Sequence, residues 1–314
     1  MKAVLHYRAG AQFRALLPAA ADGLNVAVVE PADDAALAAE LADADTLLHV
    51  LAPVTARIMD MGPRLRLVQK IGVGIDAIDR AHAHARGIAV CNMPGTNTAA
   101  VAEMTLALIF ACLRRIAHLS ERTRAGEGWN LPAAALDGLT EIGGRTVGLV
   151  GYGAVARRLV PVLRALGATP IAHGRHAGDD GVEFLPLDDL LRRADIVSLH
   201  LPASPETHRL LDARRLALIR PGGFLINTAR GTLVDGDALA DALAGGRLAA
   251  AGLDVFASEP PPPGDRLLAL SNVVATPHVA WLTQETLARS MDVVRENCRR
   301  LAAGEPLLHR IDPP

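Results

Sequence analysis

Three side chains of different character each stand just past, or at the end of, a short apolar run. Arg230 follows GGFLINT (222–228), Glu259 follows AAAGLDVF (249–256), and His278 closes NVVATPH (272–278). Each run reads as a β-strand. If the three lie parallel in one sheet, their ends meet at its carboxyl edge, where doubly wound sheets take ligands. A cation, a carboxylate and an imidazole together suit the reduction of a 2-keto acid. That reaction needs a hydride donor, a proton for the forming alkoxide and a clamp for the substrate carboxylate. His278 supplies the proton, and Glu259 beside it favours the imidazolium and orients the ring. Arg230 presents a planar fork matched to a carboxylate and its neighbouring carbonyl. One histidine among 11 is more often a surface or satisfied core residue, and an Arg–Glu pair is more often a salt bridge. The common strand-end position favours catalysis.

The hydride donor has its own signal. TVGLVGYGAVARRL (146–159) holds a strand, a glycine turn and the start of a helix, the setting in which this pattern binds a dinucleotide. Gly151 permits the tight turn and Gly153 lets the backbone approach a pyrophosphate at the helix N-terminus. Ala156 stands in the third glycine position, as a small residue at the helix–strand contact. Pro161, mid-helix, is expected to remove a hydrogen bond and kink the helix.

The elements that must position these residues follow from alternation. Strand-like runs KAVLHY (2–7), NVAVVE (25–30), TLLHVL (46–51), RLRLVQKI (64–71) and GIAVCN (87–92) are interleaved with Ala/Leu-rich helical patterns such as DDAALAAELAD (33–43). A long apolar helix over 98–118 and a loosely structured stretch over 121–140 follow. A second alternating series then begins with 146–151, 169–174 and 195–201 and continues through the three strands that carry the chemistry. A helix over 283–303 ends the chain. This pattern predicts parallel sheets covered by helices, and 314 residues suit two domains. Aromatic residues make up only 3%, so the core is aliphatic. A net charge of −2 gives no basic surplus for nucleic acid or an anionic membrane. The most apolar segment, 104–113, is too short to span a bilayer. Cys91, Cys112 and Cys298 are widely spaced, against disulfides and structural zinc, and no metal is expected. The N-terminus does not read as a secretory signal. A cytoplasmic protein is the expectation.

With these residues in view, the chain resembles the D-isomer-specific 2-hydroxyacid dehydrogenase family, especially its glyoxylate/hydroxypyruvate reductase branch. The resemblance runs over essentially the whole chain, in KIGVGIDAID (70–79), NTAAVAEMTLALI (97–109), VGYGAVA (150–156), NTARGTLVD (227–235), GLDVFASEP (252–260) and TPHVAW (276–281). It implies two Rossmann-like, doubly wound α/β domains with a discontinuous substrate domain, placed at 1–94 and 284–314, around a dinucleotide domain at 95–283. It implies that Arg230, Glu259 and His278 are catalytic and that the backbone of Val73 and Gly74 holds the substrate carboxylate. Thr98, Ala154, Val155, Ala156, Leu201, Pro202, Thr207, Thr228, Ala229 and Asp254 would line the cofactor. The long helix and the arm after it would make a homodimer. The chain departs from the family after the histidine, where many members carry His-x-Gly and this one has Val279, Ala280 and Trp281. The Trp281 ring either walls the substrate pocket or packs beneath the domain hinge.

The family's spacing also bears on the cofactor. An NAD site has an acid at the end of its second strand, which accepts hydrogen bonds from the ribose hydroxyls and repels a 2′-phosphate. Here Gly174 takes that position and Arg175 follows, so the repulsive group is absent and a cation stands ready. The expectation is an NADPH-dependent reductase of glyoxylate and hydroxypyruvate, with NADPH preferred over NADH. His173 and His176 either assist or are solvated loop residues. The alternatives are another 2-hydroxy acid or phosphite on the same scaffold, or a nucleotide-sensing binding protein without turnover.

Overall fold

The computed structural model describes residues 1–19, 23–175 and 180–311. The chain divides into two compact units, Met1–Asn97 with Trp281–Pro314, and Thr98–Ala280. The sequence-based boundaries lie three residues away at each junction.

The first unit holds a five-stranded parallel sheet. Its strands are β1 (Lys2–His6), β2 (Asn25–Val29), β3 (Thr46–His49), β4 (Leu67–Lys70) and β5 (Ala89–Cys91), in the order β2-β1-β3-β4-β5. The inner strands are buried on both faces, which is why they read as unbroken apolar runs rather than alternating ones. The terminal helix Gln284–Ala303 starts on a Thr283 cap that accepts from the Thr286 amide and stops at left-handed Gly304. It returns the end of the chain to this sheet. Asn297, fully buried on that helix, donates to Gln69 Oε1 (2.6 Å) on β4 and accepts from the Leu308 amide (2.7 Å).

The second unit holds seven parallel strands, β6 (Thr146–Val150), β7 (Thr169–His173), β8 (Glu183–Phe184), β9 (Ile196–Leu199), β10 (Gly223–Asn227), β11 (Leu248–Leu253) and β12 (Val273–Ala275). Their order, β12-β11-β10-β9-β6-β7-β8, reverses between β6 and β9. That switch point is where open α/β sheets bind ligands. Leu, Ile and Val fill both faces, among them Leu190, Leu225 and Leu239 on one side and Ile109, Leu149 and Leu159 on the other.

Several expectations are corrected. The helix predicted over 98–118 stops at Leu113, because Arg115 turns left-handed (φ 50°), and a second helix runs Ile116–Arg124. Arg115 donates to the Ala135 carbonyl (2.7 Å) across that corner. Two short 3₁₀ turns, Gly128–Asn130 and Ala133–Ala135, structure part of the stretch read as loose. The two-residue β8 was not anticipated, being too short to show periodicity. The helix Ala154–Ala165 continues through Pro161, which lies on its exposed face. No helix among the described residues is long and apolar enough to cross a membrane.

The carboxyl edge of the first sheet carries a pH liability. His6, His49 and Lys70 end β1, β3 and β4 side by side. Neither imidazole completes a hydrogen bond among the described residues, although the carbonyls of Leu51 and Ala52 lean toward His49. Burial, helped by the Lys70 charge, pulls His49 down to about 3, and burial lowers His6 as well. The unfolded chain therefore takes up protons from about pH 6.5 downward that the fold refuses, and stability falls as pH drops toward the folded values. At ~1.4 kcal/mol per unit, His49 alone costs the fold about 2 kcal/mol between pH 6.5 and 5. Thermal melts at pH 7 and pH 5 should show the loss, and His49→Gln should flatten the profile. A wild-type midpoint unchanged over that range contradicts it.

Candidate active site

Arg230 lies three residues beyond β10, on a loop fixed from within. Buried Asn227, the last residue of β10, accepts from the Ala229 amide (3.0 Å) and donates to the Arg230 carbonyl (2.9 Å). Thr228 shares a buried hydroxyl contact with Thr105 of the helix Thr98–Leu113 (3.0 Å). The next residue, Gly231, sits against the backbone of the segment that leads to Glu259. A Cβ there would lie 2.0 Å from the Phe256 carbonyl carbon. Only glycine permits that approach, which holds the Arg230 and Glu259 loops together.

Glu259 accepts from the Phe256 amide (2.9 Å) with one oxygen and meets His278 Nδ1 (2.6 Å) with the other. Burial pushes its carboxyl up, but the His278 hydrogen bond and charge, the Phe256 amide and the Arg230 charge outweigh it and hold it below the usual range. The acid is thus ionised at neutral pH, as an imidazolium partner must be.

His278 is not the last residue of β12, which ends at Ala275. It occupies a left-handed turn (φ 54°), a conformation uncommon for a residue with a side chain. The buried Asp254 builds that turn. Its carboxylate accepts from Thr276 Oγ1 (2.6 Å), the Val279 amide (2.9 Å) and the Ala280 amide (2.8 Å), and its carbonyl accepts from the His278 amide (2.8 Å). The Asp254 side chain lies beneath the turn that carries His278. Thr276, whose hydroxyl completes this network, escaped sequence reasoning.

The glycine turn lies at the same edge of the same sheet. Gly151 has φ 98°, and a Cβ there would meet the His200 carbonyl oxygen at 2.6 Å and Leu201 Cδ2 at 3.0 Å. Gly153 is the N-cap of the helix Ala154–Ala165, and no side chain caps it. Among the described residues a Cβ on Gly153 would meet nothing within 4 Å, so their packing does not require glycine there. The first-turn amides of Ala154, Val155 and Ala156 and the open approach at Gly153 fit a pyrophosphate. Nearby, Thr207 Oγ1 donates to the Pro202 carbonyl (2.8 Å) and so shapes the loop after β9. His200 Nε2 contacts Ser198 Oγ (2.9 Å), and burial draws this imidazole down to about 4, leaving it neutral.

At the end of β7, a Cβ on Gly174 would crowd Tyr152, at 3.3 Å from its Cβ and 3.4 Å from its amide nitrogen. Arg175 is exposed, with no hydrogen bond or ion pair among the described residues. His173 directs Nδ1 to the Leu185 carbonyl (3.0 Å). His176 lies outside the described residues.

The remaining expected site residues belong to the first unit. Val73 is exposed, and its carbonyl accepts from Asn92 Nδ2 (3.0 Å); Gly74 follows it in the turn after β4. Trp281 is buried and meets Tyr7 edge-on, with centroids 6.1 Å apart.

Residues 106–280 match the family model described as the D-isomer specific 2-hydroxyacid dehydrogenase, NAD binding domain. The chain is 41% identical over 294 residues to the D-3-phosphoglycerate dehydrogenase of Mycobacterium tuberculosis, covering 90% of this chain and 54% of that protein. It thus spans about half the length of such relatives. It is 39% identical to the glyoxylate reductase of Aeropyrum pernix, covering 84% of this chain and 81% of that one. The NADPH-dependent glyoxylate/hydroxypyruvate reductase of Sinorhizobium meliloti, solved with NADP and malonate, superposes with a TM-score of 0.86 at 30% identity over 99% of this chain and 97% of that one.

Proposed function

The chain belongs to the D-isomer-specific 2-hydroxyacid dehydrogenase family, and from that premise we propose that it is an NADPH-dependent reductase of glyoxylate and hydroxypyruvate. The observation that carries this reading is the 2.6 Å contact of Glu259 with His278 Nδ1, at the sheet edge that also bears Arg230 and the glycine turn. With Nδ1 engaged by the carboxylate, Nε2–H is the group that delivers a proton to the keto oxygen. Arg230 binds the substrate carboxylate and turns the carbonyl toward that proton. The bound nicotinamide supplies the hydride. Asp254 keeps the imidazole aimed, acting through the turn rather than on the substrate.

NADPH is the proposed cofactor because Gly174 offers no carboxylate to a 2′-phosphate and Arg175 offers a cation. The Tyr152 contact adds to this, since an acid at 174 has little room. A charge-assisted contact is worth about 1.5–3 kcal/mol, or one to two decades in affinity. The kcat/KM preference for NADPH should therefore shrink by about that factor in Arg175→Ala, while the value for NADH holds. Equal use of both cofactors by the wild type defeats the assignment.

The arm after the long helix exposes Ile116, Leu136 and Trp129, the last to 87%, which supports a homodimer through that arm. Three buried, unbridged thiols support a reducing, cytoplasmic setting. A second reading is oxidation of a phosphorylated 2-hydroxy acid, favoured by the 41% identity to a D-3-phosphoglycerate dehydrogenase. A panel of glyoxylate, hydroxypyruvate, its 3-phosphate and a branched 2-keto acid, each with NADPH and NADH, decides between them. The proposal stands if the small unphosphorylated acids give the highest kcat/KM, and falls if the phosphate ester or the branched acid does.

A further inference from the structure

We infer that Arg157 is a second cation of the cofactor's 2′-phosphate site, held ready by the ring of Tyr152. This rests on the NADPH reading above.

Tyr152 stands between the two glycines of the turn, and three neighbours fix it. Its ring meets Phe184 edge-on, with centroids 4.9 Å apart at 78°. Its hydroxyl donates to Asp180. Its Cβ lies 3.3 Å from where a side chain on Gly174 would begin. The residue is only 9% exposed, so it is a rigid platform rather than a surface aromatic.

Arg157 uses that platform. It is exposed, lies in the first turn of the helix Ala154–Ala165, and places its guanidinium carbon 5.3 Å from the Tyr152 ring centroid. No hydrogen bond or ion pair holds it among the described residues. Stacking occupies the face of a guanidinium and leaves its in-plane N–H donors available, the arrangement suited to a phosphate. An arginine ordered in advance also loses less freedom when it binds.

Tyr152 therefore connects the strand end that lacks an acid to a pre-positioned cation. Arg175 follows Gly174 at that strand end, and Arg157 stands on the helix. The acid nearest this platform, Asp180, is held at the phenol end of the ring by the Tyr152 hydroxyl. Arg164 fixes its backbone carbonyl (2.8 Å).

Calorimetric titration with 2′,5′-ADP and with 5′-AMP isolates the 2′-phosphate without any turnover. The wild type should bind 2′,5′-ADP more tightly. Arg157→Ala should cut that ratio about tenfold, the scale of one charge-assisted contact, with AMP affinity unchanged. Arg157→Gln, which keeps a polar stem over the ring but no charge, should show the same loss, separating charge from packing. Tyr152→Phe, which keeps the ring and drops the bond to Asp180, should retain the wild-type ratio. If both Arg157 variants keep that ratio while Arg175→Ala lowers it, the Arg157 inference is wrong and the cofactor reading survives. A wild type that does not distinguish the two nucleotides overturns both.

Discussion

His278→Ala should reduce turnover of the keto acid by about 10²–10⁴-fold, the usual cost of losing a positioned general acid, with NADPH affinity near that of the wild type. The asymmetry follows from where the side chain is held. Its ring is bound to Glu259 through Nδ1 and its backbone to Asp254, whereas the pyrophosphate fit depends on the turn at Gly151 and Gly153. On the proposed mechanism, removing the imidazole deletes the proton donor and leaves the nucleotide end intact. Glu259→Gln tests the same pair from the other side. The carboxylate holds the ring through Nδ1, so its loss should lower turnover with NADPH affinity near that of the wild type. Single-turnover rates with saturating NADPH report both effects. Near-normal turnover without the imidazole would falsify the assignment.

The gathering of Arg230, Glu259 and His278 was legible because parallel strands share one carboxyl edge. A cation, an acid and an imidazole after successive strand patterns must then come close, whatever the detail of their loops. The finer geometry was not legible. His278 sits three residues past its strand in a left-handed turn, and what permits that turn is a carboxylate 24 positions earlier in the chain. The bonds from Asp254 to Thr276, Val279 and Ala280 are side chain to backbone and side chain across strands. Neither kind leaves a periodic trace. The break at Arg115 was hidden for a related reason, since apolar residues continue on both sides of it and the left-handed conformation of Arg115 (φ 50°, ψ 37°) leaves no mark on the pattern. Tyr152 read as an ordinary residue between two glycines; its contacts with Phe184 and Asp180 arise only once β7 and β8 follow β6 in the sheet, and its contact with Arg157 depends on the local path of the glycine turn into the helix.

Gly231→Ala should damage the protein most per atom added, and Gly153→Ala should show that the reason is place rather than residue type. At Gly231 the new methyl would lie 2.0 Å from the Phe256 carbonyl carbon and 2.4 Å from the Ala257 nitrogen, both backbone atoms with no rotamer to yield. Overpacking usually costs 1–3 kcal/mol and sometimes more, and a clash with backbone belongs at the upper end, about 3 kcal/mol. For a unit of this size that lowers Tm by about 6–12 °C. The chain must relieve the overlap by parting the Arg230 loop from the segment that carries Glu259. A misplacement of about 1 Å between reacting groups can cost 10²-fold in rate, so kcat should fall even in the fraction that stays folded. At Gly153 the backbone is extended (φ −90°), and a methyl meets no atom of the described residues within 4 Å. Alanine there should leave Tm unchanged. It would, however, stand where the pyrophosphate nears the uncapped helix, so KM for NADPH should rise while kcat at saturation holds. Melting curves and steady-state kinetics on the two variants separate the cases. A Gly231→Ala protein with wild-type Tm and kcat would show that the two catalytic loops are not locked through this contact.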